Sequence, residues 1–344
     1  MARLYNASPS PHLRARESTA TIMRDVALAL VPALAFAVWY FGTRALSVII
    51  VCVLSCVVSE YAYEKLAKKR VTVSDWSAVV TGLLLAMNLP PNAPWWLCAI
   101  GGVIAIVLIK QIFGGIGQNF LNPALGARAI LMISWASVMT AYTLGRAVGV
   151  LDIPDALSAA TPLAHQFADG RTPYTISRLL IGTIPGTLGE TSKIALLIGG
   201  IYLLFRKVIT WHIPVSFILT SFLLFLISTG KVYEAGASAN ALYQVLSGGL
   251  IIGAVFMATD YVTSPILPMG KIVYGIGCGF VLWVIREFNS SYPEGCSFAI
   301  LFMNLITPLI NRAFRQRVFG EVTEKDKEES EKKTGKPEEA KTSA

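Results

Sequence analysis

Apolar residues along this chain arrive in long blocks separated by short polar breaks. The pattern lacks both the i, i+3, i+4 stripe of a soluble helix and the alternation of a half-buried strand. Blocks at residues 26–41, 45–63, 95–109, 208–228, 241–259 and 272–285 hold almost no ionisable side chain. Each approaches the ~20 residues with which a helix crosses a hydrocarbon core. Lipid offers no partner to a backbone N–H or C=O, so these blocks read as helices and not as buried strands. The pattern predicts an all-α membrane protein of about ten transmembrane helices.

The breaks divide the chain. Residues 1–24 form a polar, basic start, and residues 25–142 hold the first five spans. A polar segment over residues 143–190 interrupts the series, residues 191–312 hold five more spans, and residues 313–344 are a Lys/Glu-rich tail expected to stay solvated. The two apolar halves resemble each other. Nine positions separate Gly101 from Lys110 and also Gly277 from Arg286, and a Pro-led helix start follows each cation, at Asn122-Pro123 and at Tyr292-Pro293-Glu294-Gly295. A repeat of five spans, an odd number, requires the second copy to be inverted in the membrane. Inverted repeats with broken helices put polar sites near the midplane. The third span is short before Pro90-Pro91 and fits such a broken helix. This architecture suits a transporter or a cofactor-holding redox protein equally.

Composition narrows the class. Of the 344 residues 54% are hydrophobic and 15% charged, too little charge to cover a soluble surface. The net charge of +8 raises the question of a nucleic-acid partner, but the cations gather between alternate spans. They stand at Arg3–Arg24, Lys65–Arg70, Arg206-Lys207 and Arg312–Arg317. That is the positive-inside pattern, and it places both termini in the cytoplasm and the 143–190 segment outside. The cysteines, Cys52, Cys56, Cys98, Cys278 and Cys296, lie in apolar stretches and read as small core side chains. His12, His165 and His212 are isolated, so neither a metal site nor a nucleophile–base pair is expected.

Ionisable groups inside spans are costly, at least ~2.5 kcal/mol each at the bilayer centre, and mark candidate chemistry. Lys110, Arg128, Asp260, Arg286, Glu287 and Glu294 lie at or near span ends. Some are placed to snorkel or to pair as structural ties. The cations Lys110, Arg128 and Arg286 are candidates to hold an anion, and Asp260 and Glu294 to take part in ion or proton movement. The glycines from Gly114 to Gly117 permit close approach of backbone to a ligand and offer N–H donors. Helix starts at Pro123, Pro162 and Glu190 present dipole ends. On its own residues, the segment Ser158-Ala159-Ala160-Thr161-Pro162-Leu163 reads as a capped turn leading into a short helix.

That segment also resembles the Ser-Gly-Ala-Thr flavin-attachment motif of the NqrB/RnfD family, with Ala159 where glycine is usual. These proteins are membrane subunits of the sodium-pumping NADH:quinone reductase and of the Rnf ferredoxin:NAD oxidoreductase. Further similarity lies in Pro185-Gly186-Thr187-Leu188-Gly189-Glu190 and in Phe113-Gly114-Gly115-Ile116-Gly117-Gln118-Asn119-Phe120-Leu121-Asn122-Pro123-Ala124. It continues in Phe256-Met257-Ala258-Thr259-Asp260-Tyr261-Val262-Thr263-Ser264-Pro265, where family members commonly carry proline in place of Tyr261, and in the last-helix start around Glu294. The opening, Ser8-Pro9 to Asp25-Val26, is most similar to the D-type members of Rnf complexes, and the resemblance spans residues 8 to about 315.

The resemblance implies FMN bound through its phosphate to Thr161 by a dedicated flavin transferase, with Ser158, Ala160, Pro162 and Leu163 forming the attachment segment. It makes Lys110, Gly114, Gly115, Asn119, Asn122, Arg128, Asp260 and Glu294 candidate flavin contacts, and it implies a second, noncovalent flavin, riboflavin or FMN, between the halves. The implied activity is electron transfer between ferredoxin and NAD, coupled to Na⁺ or H⁺ movement across the prokaryotic inner membrane. The implied partners are the other Rnf subunits, of types A, B, C, E and G. Competing readings are the corresponding quinone-reductase subunit, an inverted-repeat solute channel or transporter, and a structural membrane subunit.

Overall fold

The computed structural model describes residues 17–143, 145, 161–163, 174–234, 237, 240–289 and 294–314. Among these, every regular element is helical. The polar start is therefore described only from residue 17, Ser158 and Ala160 lie outside the described residues, and so does nearly all of the tail.

Helix α1 (Thr19–Phe41) begins where the Ser18 side chain accepts from the Thr21 N–H, and ends at Gly42, whose φ of 71° no β-substituted residue adopts easily. Helices α2 (Thr43–Leu66), α3 (Ser77–Met87), α4 (Trp95–Val103) and α5 (Pro123–Ser134) complete the first half, with a short α6 (Ala136–Met139) after it. A π-helix, Ile104–Gln111, extends α4. After the short α7 (Ile176–Ile181), the second half contains α8 (Lys193–Phe205), α9 (His212–Thr229), α10 (Ala241–Leu246) and α11 (Leu250–Ile252). A second π-helix, Gly253–Met257, follows α11, and then come α12 (Pro268–Phe288) and α13 (Cys296–Ala313).

Five of these, α1, α2, α9, α12 and α13, are long and apolar enough to span a membrane alone. Shorter apolar helices cover 77–87, 95–111, 123–134 and 193–205. Large apolar side chains such as Leu54, Val58, Ile227 and Leu309 point outward, as a lipid-facing surface requires. The protein is a multi-pass, all-α membrane protein. Helix α3 does stop before Pro90-Pro91, as its length predicted. The helix expected to start at Glu190 instead starts at Lys193, because the Ser192 hydroxyl takes the cap by accepting from the Ala195 N–H.

The halves pack alike. Helix α2 lies against α3 and α4 in the first, and α9 lies against α10 and α12 in the second. Across the centre, α1 packs on α8 and α5 on α13, so the first and last helices of each half meet their own counterparts. Equivalent elements meet in this way around a two-fold axis. Small residues make the central crossing possible: Ala29, Ala33 and Ala37 form a buried stripe on α1. Opposite, a Cβ on Gly199 would collide with the Ala29 carbonyl oxygen.

Gly199→Val therefore forces α1 and α8 apart, and overpacking of this kind costs about 1–3 kcal/mol. Thermal unfolding in detergent, followed by size-exclusion chromatography, is expected to show a clearly lowered midpoint for Gly199→Val. The lipid-facing Ile198→Val is expected to leave it unchanged.

Candidate functional site

Polar side chains collect at three places, each beside a helix break. In the first half, the π-helix turns Lys110 and Gln111 inward, away from lipid. Both are buried, so Lys110 does not snorkel. Its Nζ donates to Glu60 Oε1 and to Ser77 Oγ, each at 2.6 Å, and Gln111 Nε2 donates to the same Glu60 oxygen at 2.9 Å. One turn on along α2, Glu64 accepts from the Thr72 N–H at 2.9 Å and the Thr72 hydroxyl at 2.5 Å. Lys110 thus arrives neutralised.

An open cleft lies over this group. Lys110, Ser77, Thr81, Asn119, Asn122 and Asp260 supply its polar wall, and Val26, Leu84 and Phe256 part of its apolar one. Four expected contacts, Lys110, Asn119, Asn122 and Asp260, are therefore brought together. Asn122 also caps α5, accepting from the Ala124 and Leu125 N–H groups and donating to Met257 O at 3.2 Å, which ties the cleft to the second half. Gly114 and Gly115 do not line the cleft. Their N–H groups donate to Gln111 O and Lys110 O, because the glycine turn closes the C-terminus of the preceding helix and leaves neither donor for an anion.

The second place is between the halves. Arg128 on α5 donates to Asn88 Oδ1 at 2.9 Å, to Ser297 Oγ at 3.0 Å and to the Glu294 carboxylate. Tyr142 donates to the other Glu294 oxygen at 2.9 Å. Glu190 lies beside this pair on a buried segment from Ile184 to Lys193 whose Leu188 N–H donates to Leu89 O, just past the end of α3. Gly189 is required there, since a Cβ would come within 2.7 Å of both Met87 O and Ile252 Cδ1. Arg128 and Glu294 are thus partners of each other and lie apart from the cleft.

The third place is the turn at Thr161-Pro162-Leu163. It was expected at an outward-facing surface, yet Thr161 is only 6% exposed and Leu163 1%. The turn is packed onto the break between α10 and α11. Tyr243 OH donates to Pro162 O at 3.3 Å, and Leu163 Cδ1 would touch a Cβ built on Gly248, whose φ is +66°. The break leaves helix-end carbonyls, and two buried cations take them. Arg286 donates to Gln244 O at 2.5 Å and Ser247 O at 3.2 Å, and Lys193 donates to Gly248 O at 3.2 Å and Glu190 O at 2.6 Å. Arg286 Nε and Ser247 Oγ, both buried, have no hydrogen-bond partner among the described residues. These orphaned groups suit an anionic group carried on the turn.

The sequence reading overlooked Glu60, Ser77, Asn88, Tyr142, Lys193 and Ser297. Of these, Glu60 carried a usable signal, a carboxylate inside an apolar span. The others are common residue types at span ends that gain meaning only from their partners.

Residues 6–320 match the model of the NQR2, RnfD, RnfE family. The chain is 47% identical over 316 residues to the D subunit of the Na(+)-translocating ferredoxin:NAD(+) oxidoreductase complex of Acetobacterium woodii, covering 91% of this chain and 94% of the relative. It is 41% identical to the D subunit of the proton-translocating ferredoxin:NAD(+) oxidoreductase complex of Clostridium ljungdahlii, covering 92% and 96%. It is 39% identical to the D subunit of the ion-translocating oxidoreductase complex of Halorhodospira halophila, covering 90% and 94%.

Removing one partner of a buried ion pair strands the other and costs about 3–5 kcal/mol, whereas removing both costs far less. Lys110→Met is accordingly expected to destabilise the protein strongly in detergent. Adding Glu60→Gln is expected to recover most of the loss, read as the thermal midpoint in a double-mutant cycle.

Proposed function

The chain belongs to the NQR2, RnfD, RnfE family, and on that premise we propose that it is the D component of an ion-translocating ferredoxin:NAD oxidoreductase complex. In this reading it carries FMN covalently on Thr161 and relays electrons through it between ferredoxin and NAD. Identity of 33–47% to relatives named as D components, over most of both chains, supports the assignment to such a complex. The observation that carries the flavin reading is the docked turn: Thr161 is held in a defined, buried position beside orphaned cationic and hydroxyl groups.

A bound flavin supplies the electron chemistry, accepting and passing on electrons one or two at a time. The chain supplies position and surroundings. Thr161 Oγ1 is the acceptor oxygen for the flavin phosphate, Pro162 and Leu163 anchor the turn through Tyr243 and Gly248, and α10 and α11 wall the site from lipid. Ser158 and Ala160 complete the attachment segment recognised by the flavin transferase.

The cleft, lined from both halves, is the place for the second, noncovalent flavin. Its lysine is already neutralised by Glu60, and Asp260 adds negative charge at the rim, so the cleft favours a flavin without phosphate. Asn119 provides an amide group of the kind that pairs with the ring's polar edge.

Relatives of similar identity are named for sodium and for proton translocation, so the coupled ion is Na⁺ or H⁺. The buried Arg128–Glu294–Glu190 group between the halves is where this chain can respond to electron transfer, since its charges lie at the meeting of both broken helices. We further place the chain in the prokaryotic inner membrane, with the termini cytoplasmic and Thr161 on the outer side. Its partners there are the other Rnf subunits, of types A, B, C, E and G.

Expression with a flavin transferase is expected to give a band that fluoresces in a denaturing gel, with an intact mass raised by one FMN less one water. Thr161→Ala is expected to give a dark band of unmodified mass. Fluorescence surviving that substitution would move the attachment elsewhere, and a dark wild-type band would remove the flavin reading.

A further inference from the structure

We propose that Arg286 is the cation that binds the phosphate ester on Thr161, an inference that rests on the flavin reading of that threonine. Arg286 is fully buried at the C-terminal end of α12. Its Nη2 and the Leu163 Cδ1 lie 2.9 and 2.8 Å from the point where a Gly248 Cβ would stand, so the attachment turn and the guanidinium close on the same glycine.

Capping the carbonyls at the end of α10 accounts for only part of this residue. A guanidinium has five N–H donors, and the bonds to Gln244 O and Ser247 O use two. Nε is buried without a partner among the described residues, and so is the neighbouring Ser247 hydroxyl. Charge is also unbalanced. Among the described buried residues around the break and the midplane, Arg128, Lys193 and Arg286 face only Glu190 and Glu294. One positive charge remains even with both carboxylates ionised. A phosphate joining two alcohols carries one negative charge and restores neutrality.

The other half supplies the control. Lys110, which the sequence repeat equates with Arg286, has Glu60 of α2 as its counter-ion. Where α9 packs against Arg286, it presents Phe225, with the guanidinium 5.8 Å from the ring centroid. An aromatic face attracts a cation without neutralising it. The first half has balanced its cation internally, while the second has left its own for a ligand. Planar, forked recognition of phosphate is the chemistry for which arginine is suited above lysine.

The test is the phosphorus-to-nitrogen distance in the flavin-loaded full chain in lipid, by ³¹P–¹⁵N dipolar-recoupling NMR with ¹⁵N-arginine. Charge-assisted N–H···O contacts of about 2.8 Å put phosphorus about 4 Å from a guanidinium nitrogen. Strong dephasing in the wild type, lost in Arg286→Lys that still carries flavin, is the expected result. Absence of dephasing in the wild type, or its persistence in that variant, overturns the proposal. Should Arg286→Lys fail to fold, Arg146→Lys, Arg171→Lys and Arg178→Lys take its place, as the arginines nearest Thr161 in sequence. Dephasing that survives all three supports Arg286, and its loss in any one overturns the proposal. A wild type with no ester phosphorus signal fails at Thr161 itself, which separates the two failures.

Discussion

Breaking a helix inside a membrane exposes carbonyls that lipid cannot satisfy, and this constraint organises the molecule. At the break after α10 the carbonyls of Gln244, Ser247 and Gly248 accept from Arg286 and Lys193, two cations drawn from other helices. Arg128 plays a related part beside the end of α3, joined to Asn88, Ser297 and Glu294. Each break thereby becomes a buried charged centre, and each centre lies where the halves or the attachment turn come together. Structural necessity and functional opportunity coincide at these points, because the groups that mend a broken helix are the groups that can bind an anion or a redox group.

The two halves use one plan with different charge. In the first, α2 carries Glu60 to Lys110, and the resulting neutral pair floors an open cleft. In the second, Phe225 on α9 stands under Arg286, and the turn at Thr161-Pro162-Leu163 packs beside it. The two cations thus differ in company: Lys110 is paired with a carboxylate, and Arg286 lies against an aromatic ring. The helix interface between the halves, with Gly199 against Ala29 and Gly189 against Met87, is too close-packed for gradual adjustment.

The fold was largely legible in the sequence because lipid imposes a coarse code. Apolar run length set the spans, Pro90-Pro91 set the end of α3, and Asn122-Pro123 set the start of α5. The site was legible only in part. Lys110, Asn119, Asn122 and Asp260 carried local signals and do share a cleft. Gly114 and Gly115 misled, since a glycine turn that closes a helix is indistinguishable in sequence from one that cradles an anion. Burial of Thr161 was invisible as well, because a polar 143–190 segment reads as exposed loop until Tyr243 and Gly248 are brought against it. Partner identity, such as Glu60 for Lys110 fifty residues away, is set by helix packing and by nothing nearer in the chain.

The most direct measurement of the central claim is an experimental density map of the assembled complex, resolved well enough to show side chains. The account predicts density continuous from Thr161 Oγ1 into a phosphate and a flavin ring, with the phosphate lying against the break between α10 and α11. A map in which Thr161 ends at its own hydroxyl, while flavin is visible elsewhere in the same particles, would contradict it.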